Sequence, residues 1–260
     1  MKEFSDICRD KSIVMKKIYC VLALILAVSV SLACAQEAHD ATESPDNLEN
    51  VIKTFSVLGD SYSTFEGYIP EGNAWWYSSK PQGPNDVVKV EDTWWHQFSC
   101  LTGYDLILNE SWSGSTICNT GYDGAPCPTW SFIARMKNIV AGDSDPDLIL
   151  ICGGTNDSWA NSPVGELKFG DWTDEDLASY LPACCYMLDY LRREAPQAEI
   201  VCIVNSELKP EITQGQFDAC EHYGAHALLL KDIDKLWGHP SVAGMTAMCE
   251  QVSAFVSELK

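Results

Sequence analysis

One serine and one histidine, distant in sequence, form the pair in this chain best suited to chemistry. Ser61 stands in "VLGDSYSTFEGY" (Val57 to Tyr68), where an apolar run stops at Gly59 and Asp60 and gives way to Ser61, Ser63 and Thr64. A serine hydroxyl is a poor nucleophile until a base removes its proton, and imidazole suits that task near neutral pH. Of the five histidines, His39 lies in a polar stretch, His96 and His222 fall on helical patterns, and His226 opens a strand-like run. His239, in "GHPSVAG" (Gly238 to Gly244), directly precedes a helical pattern and is the best-placed base. Acyl transfer also needs donors aimed at the oxygen that turns negative in the tetrahedral intermediate, and losing one typically costs about 3 to 4 kcal/mol. Gly114 in "NESWSGST" can present an unobstructed backbone N–H, Asn156 in "GGTND" a side-chain amide, and Ser61 its own N–H. Asp60 and Asn109 stand beside them as supporting polar groups. Each stretch alone reads better as a turn than as a site, because Gly, Asn and Asp dominate turns; four of them in chain order, each after an apolar run, reverse that reading.

Such groups cooperate only if the chain brings them to one edge. Apolar runs at Ile52 to Leu58, Tyr104 to Leu108, Asp147 to Cys152, Glu199 to Val204 and Ala227 to Leu230 alternate with helical patterns. Several runs are continuously apolar, as in parallel strands covered on both faces. Helical spacing relates Phe132, Met136 and Ile139, then Leu177, Leu181, Cys184, Leu188 and Leu191, then Val242, Met245, Cys249, Val252 and Val256. Pro182 predicts a kink or restart within the second group. Strand and helix alternating in this way predict a three-layer α/β domain around a parallel sheet with right-handed crossovers. In open sheets of this kind ligands bind beyond the carboxyl ends of the strands, which is where the four polar stretches fall.

The amino-terminal part is read separately. Lys16 and Lys17 precede the apolar run Val21 to Val30 and the small residues Ala33-Cys34-Ala35, the pattern of a secretory signal peptide over residues 1–35. The run is shorter than the roughly 18 residues a membrane-spanning helix needs. Ser31-Leu32-Ala33-Cys34 also resembles a lipoprotein cleavage site, so the expected localisation is export, with membrane attachment only through lipid on Cys34. Residues 36–50, "QEAHDATESPDNLEN", read as a flexible acidic spacer, leaving 51–260 as the folded domain. Seventeen Lys and Arg against 37 Asp and Glu give a formal net charge of −20, which repels phosphate backbones and argues against a nucleic-acid partner. No concentrated acidic metal-ligand cluster is present in the sequence, and no cofactor is expected. Nine cysteines follow Cys34. Cys152 and Cys202 lie in apolar runs as small hydrophobes, whereas Cys118 and Cys127 flank "CNTGYDGAPC" and are candidates for a disulfide in an exported protein.

Taken in order, "GDSYS", Gly114 after "NESWS", "GGTND" and the late "HPS" resemble the four sequence blocks of the SGNH/GDSL hydrolase superfamily over residues 51–260. The resemblance implies Ser61 as nucleophile, His239 as general base, and an oxyanion hole from Ser61, Gly114 and Asn156. It also implies a flavodoxin-like doubly wound sheet of five parallel strands and a metal-free esterase, lipase or related acyl hydrolase. One position departs: the family usually carries aspartate three residues before the histidine, and here that residue is Leu236. Asp234, with Asp232 as a neighbour, is the expected substitute, and a backbone carbonyl is the alternative. Tryptophans in predicted loops, Trp75, Trp76, Trp112, Trp159, Trp172 and Trp237, offer flat faces suited to stacking on sugar rings, or alternatively close loops over the core. The expected partner is therefore a small-molecule or glycan ester, with an acetylated carbohydrate as one form. A lipase or thioesterase for longer acyl chains, and a non-catalytic glycan-binding protein, are the alternatives; a flavin protein is disfavoured by the sparse hydroxyls after the first strand.

Overall fold

The computed structural model describes residues 53–81, 83–142 and 145–259. The expected signal peptide and acidic spacer lie outside the described residues. Five parallel strands, β1 (Thr54–Gly59), β2 (Asp105–Ser111), β3 (Leu148–Cys152), β4 (Glu199–Val204) and β5 (His226–Leu229), form one sheet in the order β2-β1-β3-β4-β5. The strand order reverses between β2 and β3 on either side of β1, the doubly wound arrangement in which a crevice opens at the carboxyl edge. β3 is buried throughout, as its unbroken Leu148 to Cys152 run requires of a central strand covered on both faces.

Helices cover both faces. On one side α2 (Phe132–Ile139), α4 (Tyr180–Glu194) and α5 (Pro210–Tyr223) pack Phe132, Met136, Leu188, Leu191 and Ile212 against Ile149, Ile151 and Ile200. On the other, α1 (Trp94–Thr102) and α6 (Val242–Glu258) bury Trp94, Trp95, Phe98, Met245, Met248 and Val252 against Val57, Leu150 and Val201. The short α3 (Thr155–Trp159) follows β3 directly. Pro182 lies in the first turn of α4, where a missing N–H costs nothing, so the chain restarts its helix there and leaves Leu177 in a separate 3-10 turn, Asp176–Ala178. Trp94 and Trp95 belong to the core, and Trp172 packs edge-on against Tyr186 on the first helical layer, with 5.4 Å between ring centres.

Cys118 and Cys127, the candidate pair, are both buried free thiols and form no disulfide. Cys118 Sγ contacts the Thr120 carbonyl at 3.5 Å and Cys127 Sγ the Cys118 carbonyl at 3.4 Å. The loop between them is closed instead by backbone pairing, with Cys127 N–H donating to the Asn119 carbonyl (2.9 Å) and an antiparallel bridge joining Thr120 to Pro126.

Candidate active site

Gly59 ends β1 because nothing larger is admitted: a Cβ there would lie 2.4 Å from Ser111 Oγ and 2.7 Å from Ser63 Cβ. The chain then turns at once into a 3-10 turn, Ser61–Ser63, whose cap is Asp60, its carboxylate accepting from Tyr62 N–H at 3.0 Å. Ser61 therefore opens that turn, and its own N–H is one of those a helical start leaves without an intrahelical partner. Asn109 supports the turn from β2 by donating to the Ser63 carbonyl (2.8 Å) while accepting from Ser111 Oγ (2.5 Å). Asp60 is fully buried and its second carboxylate oxygen has no partner among the described residues. Burial pushes its carboxyl up to about 7, against the pull of the Tyr62 N–H.

His239 arrives on a two-stranded hairpin, β6 (Lys235–Leu236) and β7 (His239–Pro240). Its two-residue turn is Trp237-Gly238, with φ of 52° and 79°, the sign a tight hairpin demands at both central positions. For tryptophan that left-handed conformation is strained, by about 1 to 2 kcal/mol in general. The strain has a visible consequence: the Trp237 carbonyl lies 3.2 Å from His239 Nδ1. On the opposite ring edge, Nε2 lies 3.0 Å from Ser61 Oγ. A neutral imidazole donating from Nδ1 and accepting from the serine hydroxyl satisfies both contacts. The hairpin is fastened beneath by Tyr62, whose hydroxyl donates to the Gly238 carbonyl (2.5 Å), and by Tyr77, whose hydroxyl donates to the Pro240 carbonyl (2.7 Å). Desolvation lowers His239 to about 4, aided by Lys235 and opposed by the bond to the Trp237 carbonyl.

Asp234 does not reach the imidazole, which corrects the expected third member. Its carboxylate accepts from Ser241 Oγ, and that same oxygen caps α6 by accepting from Gly244 N–H at 3.2 Å. The carbonyl alternative matches the geometry. Asp234 stands two residues before the Leu236 position, immediately ahead of the hairpin, and from there its carboxylate meets the helix start rather than the ring.

Two of the oxyanion candidates, Gly114 and Asn156, are joined through one turn that is tied to the end of β1. Gly114, with φ of 83°, occupies a turn closed by Ser115 N–H donating to the Trp112 carbonyl (3.2 Å), while Trp112 N–H donates to the Gly59 carbonyl (3.0 Å). Asn156 donates from Nδ2 to the Ser115 carbonyl (3.0 Å), leaving a second amide hydrogen, and accepts at Oδ1 from the Tyr122 hydroxyl (2.8 Å). Three buried charged residues that sequence reading missed hold this half together. Asp157 accepts from Ile117 N–H (2.9 Å) and Cys118 N–H (3.2 Å), tying α3 to the segment after Gly114; burial raises its carboxyl to about 6. Arg135 donates to the carbonyls of Glu110 and Gly59 and to Ser115 Oγ (2.9 Å), and pairs with Glu110 at 3.7 Å. Burial lowers Arg135 to about 10, with Glu110 and Asp60 pulling it back up. The available signal was an arginine beside Met136 within an otherwise apolar helix face.

Of the tryptophans, Trp76 stacks on His239 and Trp159 meets it edge-on, with ring centres at 3.8 and 5.8 Å. Trp75 and Trp76 line a cavity of about 440 Å³ with Ala74, Gly83 and Asn85. Trp159 and Trp237 are exposed by 40% and 79%, and Trp112 is half-buried as the opening residue of the Gly114 turn. Trp172, on the helical layer, is not part of the site.

A carboxyl-edge serine and imidazole in hydrogen-bond contact, with backbone and amide donors alongside, can perform acyl transfer. Comparison with known proteins agrees. Residues 53–256 match the model of the GDSL-like lipase/acylhydrolase family. Among solved structures, a Bacteroides uniformis protein assigned as a GDSL-like lipase is 48% identical (TM-score 0.76, 80% of this chain and 96% of that one). A similarly assigned protein from Bacteroides ovatus is 45% identical (TM-score 0.76, 80% and 99%). An acetyl xylan esterase from Butyrivibrio proteoclasticus shares the fold at 18% identity (TM-score 0.52, 80% and 64%). No curated protein matches the chain. With its family model covering most of the chain and two solved relatives at nearly half identity, this protein belongs to the GDSL-like lipase/acylhydrolase family and is an SGNH-type esterase.

Proposed function

We propose that the protein is an exported serine esterase that removes an acetyl group from a carbohydrate, with Ser61 as nucleophile and His239 as general base. The observation that carries this reading is the 3.0 Å contact between Ser61 Oγ and His239 Nε2 across 178 residues of chain. In the first step Ser61 Oγ bonds to the ester carbonyl carbon, its proton passes to Nε2, and the carbonyl π pair moves onto oxygen. The N–H groups of Ser61 and Gly114 and the free amide hydrogen of Asn156 receive that oxyanion. The imidazolium then protonates the leaving alkoxide as the C–O bond breaks, and water repeats the sequence to free the acid.

The sugar preference is supported by the aromatic surfaces. Trp237 and Trp159 present exposed faces, and the cavity beside Trp75 and Trp76 adjoins the imidazole. Sugar rings stack on such faces through their C–H edges while their hydroxyls keep polar partners. Residues 1–35 are proposed to be removed on export, or residues 1–33 to be removed with Cys34 left as a lipid-bearing amino terminus; the mass of the mature amino terminus decides between these.

Purified protein is expected to hydrolyse p-nitrophenyl acetate faster than the octanoate ester and to release acetate from acetylated sugars. Ser61→Ala should lower kcat by about 10³-fold or more with an unchanged circular dichroism spectrum. Full activity in that variant rejects Ser61 as nucleophile, and a preference for octanoate rejects the acetyl assignment.

A further inference from the structure

No carboxylate oxygen touches the His239 ring among the described residues. Nδ1 faces the Trp237 carbonyl, Asp234 is engaged with Ser241, and the charge acting on the ring from nearby is Lys235, of the wrong sign to support an imidazolium. Rings surround it instead. Tyr62 (5.5 Å, 59°), Trp159 (5.8 Å, 74°) and Tyr77 (6.4 Å, 81°) approach at steep angles. Trp76 alone lies flat on the imidazole, 3.8 Å away with the planes 10° apart.

We propose that the face of Trp76 stabilises the imidazolium formed when His239 takes the Ser61 proton, supplying the electrostatic support that a carboxylate gives in a Ser-His-Asp triad; the inference rests on the serine-histidine reading. An indole face carries negative potential, so its attraction to the ring grows when the ring becomes cationic. A contact that strengthens only as charge develops lowers the barrier rather than merely binding the ground state. The placement of Trp76 is tied to the nucleophile itself. Thr64 Oγ1 accepts from Trp76 N–H (2.9 Å) and donates to the Ser61 carbonyl (3.0 Å). The next residue, Tyr77, accepts at its carbonyl from Glu66 N–H (2.9 Å) and fastens the histidine hairpin through its hydroxyl. One short segment thus sets the indole against the imidazole and holds both to the serine turn. Trp76 acts through His239, as a positioning and charge-stabilising residue, which differs from the sugar-stacking role that its type first suggests.

Replacement by leucine would also loosen the packing, so the sharper test keeps the shape and drains the π face. Trp76 is replaced in the full protein by tryptophans carrying one, two and three ring fluorines, and kcat and KM are measured with p-nitrophenyl acetate, a substrate too small to need a sugar platform. The expected result is a stepwise fall in kcat, reaching about 3- to 30-fold at three fluorines, with KM unchanged. A flat kcat across the series, or a rise in KM alone, overturns the proposal while leaving the nucleophile assignment standing. Unsubstituted protein that neither turns over the ester nor takes a fluorophosphonate probe at Ser61 ends the serine-histidine reading, and this proposal with it.

Discussion

The two halves of the site are built from different materials. Around His239 stand four aromatic rings and one backbone carbonyl; around Gly114 and Asn156 stand Arg135, Glu110, Asp157 and a mesh of hydrogen bonds. The histidine half is dry and almost without opposite charge, which holds the imidazole neutral and ready to accept a proton. The oxyanion half is also dry, but the polar groups framing its free donors are held by partners, which fixes N–H dipoles before any negative oxygen arrives. A base must change charge during the reaction, whereas a donor must not move. Rings tolerate the first requirement, and buried ion pairs enforce the second.

The largest test of that contrast is to empty the polar half. Arg135→Met removes the donor shared by Gly59, Glu110 and Ser115, and leaves the Glu110 carboxylate buried without its cationic partner, with Asn73 Nδ2 (3.3 Å) as its remaining donor. Loss of one member of such a pair typically costs about 3 to 5 kcal/mol. Urea unfolding should register a loss of that size; a change under about 1 kcal/mol would show that the guanidinium is dispensable and that the two halves are less different than they look. Next comes Asn156→Ala, expected to lower kcat by about 10²- to 10³-fold with little change in KM. A rise in KM alone would move Asn156 from the transition state to ground-state binding.

The sequence made one half far more legible than the other. Ser61, Gly114, Asn156 and His239 could be found because each follows a strand-like run, and a parallel sheet gathers strand ends at one edge. The strands themselves were visible in their continuous apolar runs, with the ends of β1, β2 and β5 shifted by one to three residues. Arg135 was visible only as an arginine on an apolar helix face; its role was not, because that depends on three carbonyl and hydroxyl groups from β1, β2 and the Gly114 turn that converge only in space. Trp76 read as a surface for sugar for the same reason: residue type gives the ring, but only the fold gives the partner of its face. Cys118 and Cys127 flank a loop closely enough in sequence to suggest a bridge, yet their thiols turn to separate carbonyls.

The dry histidine half predicts an unusual acid limb. Because the working base is neutral imidazole, kcat/KM should rise with a midpoint near 4, where burial has brought His239, rather than near its ordinary 6.5. At pH 5.5 the enzyme should keep nearly all of its activity, while an unperturbed histidine would leave about a tenth. Lys235 pulls His239 in the same direction as burial, whereas Asp60, raised to about 7 by its own burial, titrates separately beside Ser61. In stability the two buried groups oppose one another. The His239 contribution is complete above pH 6.5 and is lost as pH falls toward 4; that of Asp60 is complete below 3.8 and is lost as pH rises toward 7. The pH profile of activity therefore reads the histidine more cleanly than melting does. A midpoint near 6.5 would mean that water reaches the ring and that the rings do not enclose it.

The smallest effect separates the halves most sharply, because it concerns a carboxylate close in sequence to the base yet engaged elsewhere. Asp234 accepts from Ser241 Oγ, the oxygen that caps α6 at Gly244 N–H, so it belongs to the helix start. Asp234→Ala should leave kcat and the acid midpoint within about twofold and a few tenths of a unit of the parent, because the Trp237 carbonyl keeps Nδ1 occupied. Its cost should instead appear in unfolding, at about 1 kcal/mol, the usual worth of a weakened helix cap. If Asp234→Ala lowered kcat by the roughly 10⁴-fold typical of disabling a triad aspartate, with folding intact, the carboxylate would have to swing to the imidazole during turnover. The histidine half would then owe its function to a charge after all, and the contrast with the oxyanion half would collapse.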